Sequence, residues 1–482
     1  MVSFFSKVAF AAITSISSSP SFCYVQRSSL QGLGPHKVRR NQRRCLSPPL
    51  TSSISSLRSR SSSDLESKSS CQKTRAQNSL AKLLMASPTG LDPSLNRFHA
   101  PLVYHDGYST VPNWPPKHTF PMMKFERIAH ALLTTTSKTI PTSNLPRPLV
   151  RSKQDFFRPP DFSDIPIEEW LHLLNRQNDI ERSAKIENNS DDENLETDMK
   201  TEFGHRFLRR ELTNEEARMI GFREQTHDPK LVERTVLEVA GTVLTAQLAL
   251  KYGIASNLAG GTHHAHPKGG AGYTILNDLA ITTNLLTISS MTSNVDSADG
   301  INESKPNKIP IEYDNHRGGI ERVLVIDCDV HQGDGTAQYS TLWKKDRCLF
   351  SLSIHCESNY PFKKHNSTYD VGLPDHCDDQ EYLEVLKKNV NRAIHKVRPD
   401  LVLYDAGVDV YKHDTLGRLD LSEEGIRLRD RWVLDRCVSL GIPIAAVVGG
   451  GYDKDIDALG RRHAIVHEEC AYVWRKYKLW RR

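Results

Sequence analysis

The sequence predicts an α/β protein: a single three-layer domain around a mostly parallel sheet, preceded by a disordered leader. Three observations predict this. Short apolar runs at 323–326, 348–354, 401–404 and 444–448 alternate with helical stretches such as 380–396 and 422–440, and that alternation implies a parallel sheet covered on both faces. Chemically interesting polar residues follow those runs directly, where open α/β sheets collect their ligands. The first 84 residues have a composition of their own.

Residues 1–84 hold thirteen Lys/Arg against only Asp64 and Glu66. With a formal charge of +5 for the 482-residue chain, the remainder carries about −6. A mildly acidic folded part disfavours a broad nucleic-acid footprint. The leader is rich in Ser and Arg and has no acid before Asp64. That is the composition of an organelle transit peptide, for chloroplast or mitochondrion. A nuclear or cytoplasmic location is the alternative, because Arg39 to Arg44 also suits a nuclear localisation patch, and Met85 could serve as a second start. The apolar stretch 8–13 is too weak for a secretory signal. Nine cysteines without a C-x-x-C pair argue against a disulfide framework and favour a reducing compartment. No apolar run reaches 18 residues, so no membrane span is expected.

The foldable region is expected over 101–475. Leu102, Val103 and Tyr104 have strand character, and 125–133 reads as a short helix. Acid-rich 181–200 and polar 293–319 read as exposed insertions. The helix at 230–252 has the plainest signals. Asp228 can cap it, Pro229 fits its first turn, Gly253 can end it, and Val232, Val236, Val239 and Val243 follow helical spacing.

The candidate site is built from strand ends. Gly260-Gly261-Thr262-His263-His264-Ala265 lies in a glycine-rich frame. After 323–326 come Asp327, Asp329 and His331; after 401–404 comes Asp409; after 444–448 comes Gly449-Gly450-Gly451-Tyr452. Residues at i and i+2 share one side of an extended chain, so Asp329 and His331 can face one ion while Cys328 points away. Two carboxylates and one imidazole suit a divalent ion such as zinc and leave room for water and a carbonyl. His263 and His264 can accept and return protons, and the Tyr452 hydroxyl can hold a developing oxyanion. Each piece alone has an ordinary explanation, in capping, salt bridging or a tight turn. Their occurrence in order on successive strand ends does not.

Taken together, these motifs resemble the zinc-dependent histone deacetylase superfamily, which shares its fold with arginase. The strings that carry the likeness are Leu212 to Gly221, Asn257 to Ala265, Gly272-Tyr273-Thr274-Ile275-Leu276-Asn277-Asp278, Asp327 to Thr336, and Asp405 to Asp409 followed by Asp414-Thr415-Leu416-Gly417. The Asp-Val-His-Gln-Gly-Asp-Gly block and the subsequent pattern look closest to the class IV branch and its bacterial relatives. The resemblance implies zinc on Asp329, His331 and Asp409. It implies His264 as general base and later acid, oriented by Asp334, and a more cationic His263 paired with Asp327. Tyr452 would polarise the acyl carbonyl, and Gly272 and Tyr273 would line the tunnel for the acyl-lysine chain. A structural K+ is implied near Asp327, Asp329, His331, Ser353 and Ile354.

Three departures touch substrate choice. A His-Asp-x-x-Tyr-like rim segment is not found in 160–210, Tyr273 stands where phenylalanine is usual, and 358–364 lacks the glycine-containing rim pattern. The resemblance implies a lysine deacylase acting on histone or non-histone protein. Alternatives are an acetylpolyamine or other small-amide hydrolase, and a catalytically silent interaction module. An arginase-like two-metal site is disfavoured for want of further acidic ligands.

Overall fold

In a computed structural model of the chain, the described residues are 96–134, 149–174, 203–290, 319–344 and 348–481. They fall in one compact unit, Arg60–Arg482. The leader at 1–84 and both insertions, except Gly319, lie outside them.

Among the described residues, seven parallel strands form one sheet: β1 (Leu102–Val103), β2 (Ile254–Asn257), β3 (Val323–Asp327), β4 (Leu349–Cys356), β5 (Tyr369–Leu373), β6 (Leu401–Asp405) and β7 (Ile444–Val447). Their order is β1-β2-β7-β6-β3-β4-β5. The expected "mostly parallel" sheet is parallel throughout. Side chains alternate between two cores as the two-residue strand period requires. Val323, Val325, Leu401 and Leu403 join one core; Leu324, Ile326, Val402 and Tyr404 join the other.

Helices cover both faces. The first core takes α1 (Lys124–Thr134), α2 (Pro229–Tyr252), α3 (Asp278–Ser290) and α4 (Asp334–Leu342). The second takes α5 (Asp379–Val397), α6 (Glu423–Ser439) and most of α7 (Ile456–Tyr477). Helix α2 starts and stops where its sequence directs. The Asp228 side chain accepts from the Lys230 N–H, Pro229 occupies the first turn, and Gly253 ends the helix at φ 91°. It is buried nearly all round, from Leu231 to Leu250, so its apolar pattern is broader than a single stripe. Among the described residues, no helix is long and apolar enough to cross a membrane, and six cysteines are free and buried.

The sheet order matters for the site. Strands β2, β7, β6 and β3 are consecutive neighbours, so the loops carrying His263, Tyr452, Asp409 and Asp329 leave the same edge side by side. Asp327 and Asp405 are register partners at that edge.

Candidate active site

The structure brings the predicted residues together below a surface pocket. Asp329 Oδ1 and Asp409 Oδ2 converge on His331 Nδ1, at 3.0 and 3.1 Å. Each carboxylate is aimed by a backbone amide on its other oxygen: Gly450 N–H donates to Asp329 Oδ2 and Val330 N–H to Asp409 Oδ1, at 2.7 and 2.8 Å. Ligand atoms of all three residues lie within 4.8 Å of one another, and all three are buried. A compact set of two carboxylate oxygens and one ring nitrogen fits a divalent cation, which would replace the shared proton on the imidazole. With the proton in place, burial opposes the His331 charge. Hydrogen bonds to Asp329 and Asp409 outweigh it and push the imidazole up to about 10. Cys328 points into the opposite core, as the strand period predicts.

The two adjacent histidines are held differently. His263 Nδ1 lies 2.8 Å from Asp327 Oδ2. Burial disfavours its charge, but Asp327, Asp329 and Asp405 together raise its pKa well above that of an ordinary imidazole. His264 Nδ1 lies 2.6 Å from Asp334 Oδ1. For His264, burial and the neighbouring His263 charge outweigh Asp334 and lower the pKa to about 4. Two imidazoles with ring centroids 4.1 Å apart are thus pushed in opposite directions, the arrangement by which paired titratable groups divide acid and base roles.

Their loop is fixed from beneath by Asp278, which accepts from the Gly261 and Thr262 N–H groups at 3.1 and 2.8 Å. Gly272 is a close-approach position. A Cβ there would lie 2.4 Å from His264 Cδ2, and its φ of 53° is left-handed. Gly272→Ala is expected to lower kcat about tenfold or more by displacing His264, and to cost about 1–3 kcal/mol of stability. Steady-state kinetics with a thermal melt checks both.

Tyr452 is 7% exposed, its ring 6.4 Å from that of His331 and 6.0 Å from that of Tyr273. Asp414 Oδ2 accepts the Tyr452 N–H at 2.7 Å. Gly272 and Tyr273 line the mouth with His264, His331 and Tyr452.

Several contributors escaped the sequence reading. Asp405 is fully buried, lies 3.8 Å from His263 Nδ1, and neither carboxylate oxygen has a hydrogen-bond partner. Burial and Asp327 hold its carboxyl well above the carboxylate range. With His263 and Asp327 it forms a second buried ligand group, which corrects the expectation that no further acid would be found. Arg429, fully buried on α6, donates to the Cys328, Gly407 and Ala406 carbonyls and so ties the β3 and β6 loops together. Tyr360 stacks edge-on against His264 at 4.9 Å, giving the 358–364 rim an aromatic wall. The 160–210 rim question falls partly on residues outside those described.

Fold and site define a class first: parallel α/β proteins whose strand ends gather a buried carboxylate–imidazole cluster able to hold a metal ion. The family model for the histone deacetylase domain matches residues 168–296 and 307–467. An uncharacterized protein of Picosynechococcus sp. is 36% identical over 374 residues, covering 78% of this chain and 99% of that protein. Histone deacetylase 2 of Arabidopsis thaliana is 29% identical over 232 residues, covering 46% of this chain and 52% of that protein; the chain thus spans about half of it. A solved HDAC homolog from Aquifex aeolicus matches at a TM-score of 0.36 and 22% identity, over 49% of this chain and 57% of that one. The chain belongs to the histone deacetylase family. That family is generally zinc-dependent and acts on acetylated substrates.

Proposed function

We propose that this chain is a zinc-dependent lysine deacylase that hydrolyses the amide of N-acyl-lysine in proteins. The observation that carries the reading is His264, hydrogen-bonded to Asp334 at 2.6 Å and lining one mouth with the metal-ligand candidate His331 and with Tyr452. Zinc held by Asp329, His331 and Asp409 would supply Lewis acidity to the acyl carbonyl and acidify water. His264 donates Nδ1–H to Asp334, which leaves Nε2 free to take the proton of the attacking water and return it to the departing amine. His263, kept cationic by Asp327, holds charge beside it. The Tyr452 hydroxyl donates to the acyl oxygen as negative charge develops there. Gly272 and Tyr273 flank the aliphatic stem of the lysine.

The test is turnover by the full-length, zinc-loaded chain on acetyl-lysine peptides, longer acyl-lysine peptides and acetylpolyamines. Turnover of peptides supports the reading; turnover of acetylpolyamines alone overturns it. Tyr452→Phe is expected to keep zinc and lower kcat by about 10²–10³-fold, and unchanged kcat would remove Tyr452 from the mechanism.

The same proposal includes K+ near Asp327, Asp329, His331, Ser353 and Ile354. Its support is the register pairing of Asp327 with Ser353 at the edge of the sheet, and tighter folding in K+ than in a bulky organic cation would test it. Organelle targeting by 1–84, to chloroplast or mitochondrion, rests on leader composition. A full-length fluorescent fusion found in the nucleus or cytosol would overturn it. Placement in the class IV branch rests on the Asp-Val-His-Gln-Gly-Asp-Gly block and the pattern that follows it.

A further inference from the structure

The mouth of the site has a chemistry that the catalytic cluster does not explain. It opens through a cavity of about 350 Å³ whose outer lining includes Met219, Tyr360, Phe362, Leu416 and Arg418. Among the described residues, no aspartate or glutamate lines it. Met219 is 63% exposed and Phe362 89%, and with Leu416 they are three of the eight exposed large hydrophobic side chains in the described residues. Clustered exposed apolar side chains around a pocket mark a surface that another molecule covers.

Phe362 sits on a braced loop. Lys364 Nζ donates to the Asn359 and Pro361 carbonyls at 2.6 and 2.8 Å, and the Gln332 side chain accepts the His365 N–H at 2.8 Å. Gln332 directly follows the ligand candidate His331 in sequence, so this rim is tied to the loop that carries it.

Arg418 is the charged group of this outer lining. Its Nη1 donates to Ser358 Oγ at 3.1 Å, and the nearest carboxylate, Asp375, is 3.8 Å away. Asp375 already accepts from Ser358 Oγ and from Cys356 Sγ. The Arg418 side chain is 52% exposed, which leaves guanidinium donors open to a ligand.

We infer that this mouth selects acyl-lysine segments whose flanking residues are acidic and apolar, with Arg418 reading the carboxylate and Met219, Phe362 and Leu416 covering the apolar neighbour. This rests on the lysine deacylase reading and names its substrate class. Beyond its acetamide, an acetylpolyamine carries only cations and methylenes, so it would bring like charge to Arg418 with no carboxylate to offer. The free α-carboxylate of acetyl-lysine is a second source of the same chemistry. It lacks the apolar flank, so it should be the poorer substrate.

The full-length, zinc-loaded chain should be assayed with acetyl-lysine peptides flanked by Glu-Leu, Gln-Leu or Lys-Leu, with free Nε-acetyl-lysine, and with an acetylpolyamine. The Glu peptide should exceed the Lys peptide in kcat/KM by about fivefold, mainly through KM, as suits a partly screened ion pair. The ratio should shrink in about 0.5 M salt and reverse in Arg418→Glu, with Arg418→Gln between. Three equal peptides, or a ratio unmoved in Arg418→Glu, would overturn the inference. So would free acetyl-lysine or the acetylpolyamine outrunning the Glu peptide. Peptide binding by fluorescence anisotropy separates the two readings: ordered binding without turnover sinks the deacylase reading alone, and binding with no order sinks the selectivity.

Discussion

His264→Ala is expected to lower kcat by about 10²-fold or more while the protein still binds its full complement of metal. The two effects separate because His264 makes its hydrogen bond to Asp334 and none to Asp329, His331 or Asp409. Removing the ring strands the Asp334 carboxylate without its donor, so about 1–3 kcal/mol of stability should go with it. A melt must therefore accompany the kinetics. The pH profile gives a second reading of the same residue. A base acts in its neutral form, and burial with the His263 charge lowers His264 to about 4. While metal stays bound, protonation of His264 should cost activity as pH falls toward that region, well below the 6.5 of an ordinary histidine. An acid limb near 6.5 with metal content unchanged, or near-normal turnover in the metal-loaded variant, would assign the base to another group.

What was legible in the sequence depended on whether burial and chemistry agreed along the chain. Strands β3, β6 and β7 are buried on both faces, so their sequences are apolar runs, broken in β3 and β6 only by the closing Asp327 and Asp405. Helix α2 carries its stop and start signals as single residues. Strand β5 is an edge strand that buries only Leu373 among Tyr369–Leu373, so no apolar run marks it. Strand β2, Ile-Ala-Ser-Asn, is fully buried yet half polar. Helix α7 hides Arg462, His463, His467 and Glu469 on its buried side, which breaks the amphipathic pattern that periodicity detects. The metal-ligand candidates and the histidine pair could be found because their spacing is local and each follows a strand. Asp405 and Arg429 could not. An acid ending a strand and an arginine in a charged helix both read as solvated, and only the packing shows Arg429 gripping three carbonyls from two loops.

Loss of a single metal-ligand candidate should be still more damaging, and its signature differs from that of His264. Asp409→Ala or Asp329→Ala should abolish bound zinc and bring turnover to background together. The geometry explains why neither can be spared: each carboxylate spends one oxygen on a backbone amide, Val330 N–H or Gly450 N–H, and turns the other toward His331. Stability should fall in both metal states, and further with zinc. Without a cation, Asp409 still accepts from the Val330 N–H and pairs with the His331 imidazole, so deleting it strands both donors. With a cation, the pair is what binds it, and a ligand present at about 1,000 times its Kd stabilises the folded state by about 4 kcal/mol. The parent protein should therefore melt several degrees higher with zinc than after chelation, while Asp409→Ala should melt at one temperature in both. Full zinc occupancy in both variants, or an undiminished zinc-dependent melting shift, would sink the ligand assignment.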